Sequence, residues 1–147
     1  MAIHFSVQSG NFELSDEQKL KKWVSEVIKR RGKQVGNINY LFCDDEYLLD
    51  VNQRFLNHDT YTDIITFDYV AADLISGDIM ISVDRVGENA HLFHVPFIQE
   101  LHRVVIHGVL HLLGQGDKSE SEATEMRRQE EVALGVWNDM FPVEQNS

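Results

Sequence analysis

The sequence predicts an α/β (α+β) domain in which one mixed sheet of about four strands packs with about five helices. Three observations carry that expectation. Short runs rich in β-branched and aromatic residues alternate with longer runs of helical period. Two of the strand runs, "DIITFDYV" (63–70) and "GDIMISV" (77–83), are separated only by the short connection "AADLIS" and form a hairpin. The chain has 147 residues, 43% apolar and 25% charged, enough for one sizeable core. No repeat, linker or low-complexity segment divides it, so residues 1–147 read as a single domain.

Each element follows in order. "IHFSVQ" (3–8) is a strand. Ser15 opens "SDEQ", a capping box with Gln18 at the third helical position. Leu20, Trp23, Val24, Val27, Ile28 and Arg31 then fall at helical spacing, and Gly32 ends the helix. "VGNINYLFC" (35–43) is a strand. Asp44 caps a helix over 45–55, with Leu48, Leu49 and Val51 turned inward. "LNHDTYT" (56–62) is a polar loop before the hairpin, whose second strand is entered through a Gly-Asp turn. A short helix covers 85–93. Pro96 suits the first turn of a helix that continues through Leu113 and stops at Gly114. "SESE" (119–122) caps a last helix reaching about residue 134, and "NDMFPVEQNS" is a tail. Trp23 and Trp137, at helical positions, belong to the core.

Composition narrows the function classes. No apolar run approaches the roughly 20 residues of a membrane helix, and the N-terminal stretch lacks the basic-then-apolar pattern of a secretory signal. A single cysteine, Cys43, excludes an internal disulfide framework and reads as a buried, inert thiol. A reducing cytoplasm is the expected location. The net charge of −11 argues against general nucleic-acid affinity. It is unevenly spread. Residues 1–33 hold 7 of the 13 basic residues against 4 of the 24 acids, net +3, and the rest of the chain is net −14. Lys19, Lys22, Lys29 and Lys33 are either the solvated face of a helix or a local anion-facing surface.

The chemistry concentrates in "HGVLHLLGQGD" (107–117). On a helix His107 and His111 are about 400° apart in rotation and so project from one face, one turn apart. Two imidazoles at that spacing can reach one ion at about 2.0–2.1 Å. Gly114 permits a turn that returns Asp117 toward the rings, completing a three-ligand set with an open position. Histidines four apart also occur as structural or exposed pairs; the glycine break and the carboxylate beyond it favour the metal. The spacing matches the long zincin pattern H-E-x-x-H-x-x-G-x-x-[HD] at every position but one. Where a zincin has its general base, this chain has Gly108, which disfavours a metalloprotease.

These residues resemble the H-G-x-L-H-L-x-G-Y-D-H signature of the YbeY family of ribosomal-RNA maturation factors. "GDIMIS" (77–82) is similar to that family's G-D-I-x-I-S strand, and "VNQRFLNHDTYTDIITF" (51–67) to its L-N-x-x-Y-R-x-x-D-x-x-T-D-V-L-S-F segment. The resemblance implies a metal-dependent, single-strand endoribonuclease with one bound Zn2+ per chain, or another divalent metal. It implies a role in processing the 3′ end of small-subunit ribosomal RNA and in ribosome quality control. Its partners would be single-stranded or ribosomal RNA and ribosome-associated proteins, with neither membrane nor DNA. Asp59, Thr62 and Asp63 would lie near the site, or Asp59 and Thr62 merely form the turn. His58, Asp59 and Arg54 are weak candidates for catalytic work beside the metal, and His58 reads equally as an exposed loop residue. His91, His94 and His102 receive no role.

Two departures stand out. The family's third histidine falls on Asp117, which halves the net charge of a divalent site to +1 and weakens its Lewis acidity. The family's arginine falls on Leu56. These departures motivate a second reading, an RNA- or ribosome-associated assembly factor with a structural metal and little catalysis. A small-molecule or peptide metallohydrolase is the third.

Overall fold

The computed structural model describes residues 2–143. Its elements are β1 (Ile3–Val7), α1 (Glu17–Arg30), β2 (Gln34–Cys43), α2 (Asp45–Leu56), β3 (Ile64–Asp68), β4 (Leu74–Ser82), α3 (Val83–Phe93), α4 (Phe97–Leu112) and α5 (Glu120–Met140). The strands form one sheet in the order β1-β2-β4-β3. β1, β2 and β4 run parallel, and β3 pairs antiparallel with β4 at the edge. The expected mixed sheet and five helices are therefore present.

Period-2 alternation sends successive side chains to opposite faces, so a strand apolar at every position needs cover on both. Tyr40, Phe42, Ile79 and Ile81 enter the main core with Trp23 and Val24 of α1, Val105 and Val109 of α4, and Val136 of α5. Leu41, Cys43 and Met80 face the other side, where α2 covers them with Leu48 and Val51. Leu49, expected to turn inward with them, is half-buried. Two buried polar groups find partners in place: Trp23 Nε1 donates to the Ala133 carbonyl at 2.8 Å, and Tyr40 Oη to the Val105 carbonyl at 2.9 Å. Trp137 packs edge-on against Trp23. Cys43 is buried, and burial pushes its thiol up to about 12, which leaves it inert.

Several local expectations need correction. The capping box at Ser15 does not form; Asp16 is the N-cap of α1, left-handed at φ 58° and without a side-chain cap. Phe12 and Leu14 pack on the core just before it, so docking of that segment sets where the helix begins. Ser119 does form a capping box with Glu122. Gly77 is not a turn. It lies inside β4, and the hairpin reverses earlier, where Ala71 bridges Leu74. Pro96, expected in the first turn of α4, is its N-cap. α5 continues past Gly135 to Met140 because Val136, Trp137 and Met140 bury against the core, outweighing the roughly 1 kcal/mol that a helical glycine costs. The expected tail is thus helical in its first three residues, and 144–147 lie outside the described residues.

Candidate metal centre

α4 carries an almost continuous apolar face, from Leu101 through Leu112, and lays it on the sheet. His107 and His111 sit at the margin of that face, half-buried. At the helix end Gly114 adopts φ 99°, donating to the His111 carbonyl at 2.9 Å, while Gln115 N donates to the Leu110 carbonyl at 3.0 Å. This pair of bonds is a Schellman motif, which needs a left-handed residue after the cap. The returning chain is fastened to α5, since Gln129 Nε2 donates to Gln115 Oε1 at 2.9 Å.

The reversal brings Asp117 Oδ2 to 3.2 Å from His107 Nε2 and 3.3 Å from His111 Nε2. The two rings meet edge-on at 4.6 Å. Donors bound tetrahedrally at about 2.0–2.1 Å lie about 3.3 Å from one another, so these separations suit one small divalent ion. His107, His111 and Asp117 form a group that could hold a metal, as the spacing predicts.

Glu130 of α5, which sequence reasoning missed, completes the arrangement. Its Oε2 lies 2.6 Å from His107 Nδ1, and its Oε1 accepts from Arg103 at 3.1 Å. Bonding through Nδ1 fixes the ring and leaves Nε2 as the free donor, the usual carboxylate–histidine–metal relay. Burial alone would lower the His107 pKa, but the Glu130 hydrogen bond and charge, with Asp117 and Asp63, hold it above the ordinary range. Burial alone would raise Glu130; His107 and Arg103 hold it below. Arg103 also reaches the exposed Glu131 at 2.6 Å and the buried Glu100 at 3.6 Å, so three carboxylates share one guanidinium.

Gly108, beside His107, faces the sheet. A Cβ there would lie 2.9 Å from Ile79 Cγ2 and 3.0 Å from Ile64 Cδ1. The position that holds the zincin base is therefore a packing contact here, not part of the metal face.

The remaining candidates divide. Asp63, immediately before β3, lines a cavity with His107 and Glu130, and burial holds its carboxyl above the usual range. Its carbonyl accepts from Ser82 N at 2.9 Å. Thr62 Oγ1 donates to the Ile64 carbonyl at 3.4 Å, a turn contact. Asp59 accepts from Gln53, His58 is exposed, and Arg54 pairs with Asp50 at 3.0 Å; their side chains make no bond to the histidines or Asp117. Leu56 is 41% exposed at the end of α2. Lys19, Lys22 and Lys29 are exposed, while Lys33 pairs with Asp73. His102 is buried between Trp23 and Trp137. No helix among the described residues is long and apolar enough to cross a membrane.

Comparison with known proteins agrees with this geometry. The family model described as endoribonuclease YbeY matches residues 4–138. An endoribonuclease YbeY from Flavobacterium psychrophilum is 52% identical, over 92% of this chain and 94% of its own. One from Porphyromonas gingivalis is 57% identical, over 77% of this chain and 75% of its own. A solution structure from Thermotoga maritima superposes with a TM-score of 0.63 at 27% identity, covering 98% of this chain and 97% of the other.

Proposed function

The chain belongs to the endoribonuclease YbeY family, and on that premise we propose that it is a single zinc-dependent hydrolase domain that cuts single-stranded RNA during ribosomal-RNA maturation. The observation that carries the reading is that His107 Nε2 and His111 Nε2 lie 3.2 and 3.3 Å from the same Asp117 Oδ2, in a group that could hold a metal. These three would hold the ion. When bound, zinc supplies Lewis acidity toward a phosphodiester oxygen or a water. Glu130 keeps His107 in the tautomer that presents Nε2, and Asp117 cancels one unit of the ion's charge. Ribosomal RNA and ribosome-associated proteins are the partners this reading implies, and the cytoplasm its location.

The test uses tag-free protein and single-stranded RNA. Chelator should abolish cleavage, and zinc should restore it. Asp117→Asn should lower zinc affinity, because a neutral amide is a poor ligand, whereas Asp117→His should retain the ion. RNA cleavage indifferent to chelator, or zinc bound as tightly by Asp117→Asn as by the parent, would refute the assignment.

A further inference from the structure

Beyond residue 33 the chain has 6 of its 13 basic residues against 20 of its 24 acids. In such an acid surplus an arginine normally finds a carboxylate. Arg54 pairs with Asp50, Arg85 with Asp45, Arg103 with Glu130 and Glu131, and Arg128 with Glu125. Of the six, only Lys118 and Arg127 lack a carboxylate within ion-pair distance among the described residues. Both border the metal centre. Lys118 follows Asp117 directly, and Arg127 precedes Glu130 by one helical turn on the same face of α5.

Arg127 also has somewhere to act. With Asp63, Asn89, Glu100, Arg103, His107 and Glu130 it lines a cavity of about 200 Å³ between α3, α4 and α5. His107 is a shared wall, with Nε2 in the metal centre and Nδ1 bonded to Glu130 of the cavity lining. Arg103 is saturated by three carboxylates, so the guanidinium left for a ligand is that of Arg127, and Asn89 adds an amide donor. Asp63 and Glu100 repel an anion and so favour its seat at the arginine. Whole drug-sized ligands fill about 300–1,000 Å³; this space suits a smaller anionic group. A guanidinium fork matches two non-bridging oxygens of a phosphodiester.

We propose that Arg127, with Asn89, binds a phosphodiester of the RNA strand in this cavity, beside the bond being cut. The inference rests on the endoribonuclease reading above. The experiment compares Arg127→Gln with Arg128→Gln, which removes the same charge one residue along from an exposed pair outside the cavity. A fluorescent single-stranded RNA is titrated against each chelated protein over a range of salt, and zinc-loaded cleavage kinetics are measured alongside. Losing one charge-assisted contact should weaken binding roughly 10–100-fold, and KM should rise by a similar factor. The slope of log K against log salt should flatten by about 0.7, the value for one single-strand phosphate. Arg127→Lys should recover part of the affinity, and Arg128→Gln should match the parent. Equal affinity and slope for Arg127→Gln and Arg128→Gln would overturn the assignment. So would loss of zinc in Arg127→Gln, since the arginine would then act through the metal centre. A parent protein that cuts no RNA would instead overturn the endoribonuclease reading itself.

Discussion

Replacing Glu130 by Gln tests whether the buried carboxylate behind His107 matters to the metal. The change keeps shape and nearly keeps volume but removes the charge. In the native protein Glu130 Oε2 lies 2.6 Å from His107 Nδ1, and Oε1 accepts from Arg103 at 3.1 Å. Hydrogen bonds to a charged partner contribute about 1.5–3 kcal/mol and neutral ones about 0.5–1.5, so the exchange costs about 1–2 kcal/mol. Arg103 retains Glu100 and Glu131, which keeps the loss below that of a buried charge left wholly unpaired. In a chain of this size the metal-free protein should melt about 2–8 °C lower. Zinc affinity should fall about 10–100-fold, because Gln no longer holds the ring by a charged acceptor or raises the basicity of Nε2. Competition with a chromogenic chelator measures the affinity, and thermal melts with and without zinc measure the rest. Glu131→Gln is the control, since Glu131 shares Arg103 but lies exposed and touches neither histidine. Zinc bound by Glu130→Gln as tightly as by the parent would refute the relay.

Leu56→Arg should raise RNA cleavage by up to about 10²–10³, the usual worth of one electrostatic contact to a developing charge. Leu56 is 41% exposed, so the melting temperature should hold; unchanged cleavage in a folded, zinc-loaded variant would show that the arginine is not needed here. The second prediction concerns pH. Burial pushes the His102 imidazole down to about 4, and its Nε2 has no hydrogen-bond partner among the described residues. A histidine that binds its proton more weakly folded than unfolded contributes its full stability above the unfolded value near 6.5, and that contribution drains as pH falls toward 4. Between pH 7.5 and pH 5 the loss should be about 2 kcal/mol, read from urea midpoints, and His102→Leu should lack it. Parallel losses in parent and variant would exclude His102 as the source.

The site was legible where it is local. His107, His111 and Asp117 lie within eleven residues, and helix period, a glycine stop and donor chemistry bring them together without knowledge of the rest of the chain. Glu130 and Arg127 were not legible in the same way, because α5 meets α4 only through tertiary packing. One signal was available for Glu130. Met126, Ala133 and Val136 form the inward stripe of α5, and Glu130 stands on that stripe, where an unpaired carboxylate would be costly. The same signal marks Glu100 on α4. The strand and helix order followed from periodicity, whereas the misplaced boundaries at Ser15, Gly77 and Gly135 share one cause. Each was read by local propensity, and each is decided by what packs against it: Phe12 and Leu14 before α1, Leu112 over Gly77, and Val136, Trp137 and Met140 at the end of α5.

Gly77 and Gly108 belong to two of the three stretches that resemble the family and form one contact between α4 and β4. A Cβ on Gly77 would lie 2.6 Å from the Phe67 carbonyl oxygen and 2.8 Å from Leu112 Cδ2, and one on Gly108 would press Ile79 and Ile64. The two glycines let the helix sit close to the strand at both ends of its histidine-bearing half, which sets the depth of His107 and His111. Gly108→Ala weighs two effects against each other. Helix propensity favours alanine by up to about 1 kcal/mol. Overpacking a filled core costs about 1–3 kcal/mol, and Ile79 is fully buried with no room to retreat. Packing wins, so the variant should melt lower by up to about 8 °C and bind zinc more weakly as the helix lifts. Gly108→Glu restores the zincin pattern, yet it drives a carboxylate into the same apolar contact, where it costs several kcal/mol unpaired and lies off the metal face. It should lose stability without gaining peptidase activity. A Gly108→Ala protein more stable than the parent would show that propensity governs this position and that the close approach is not required.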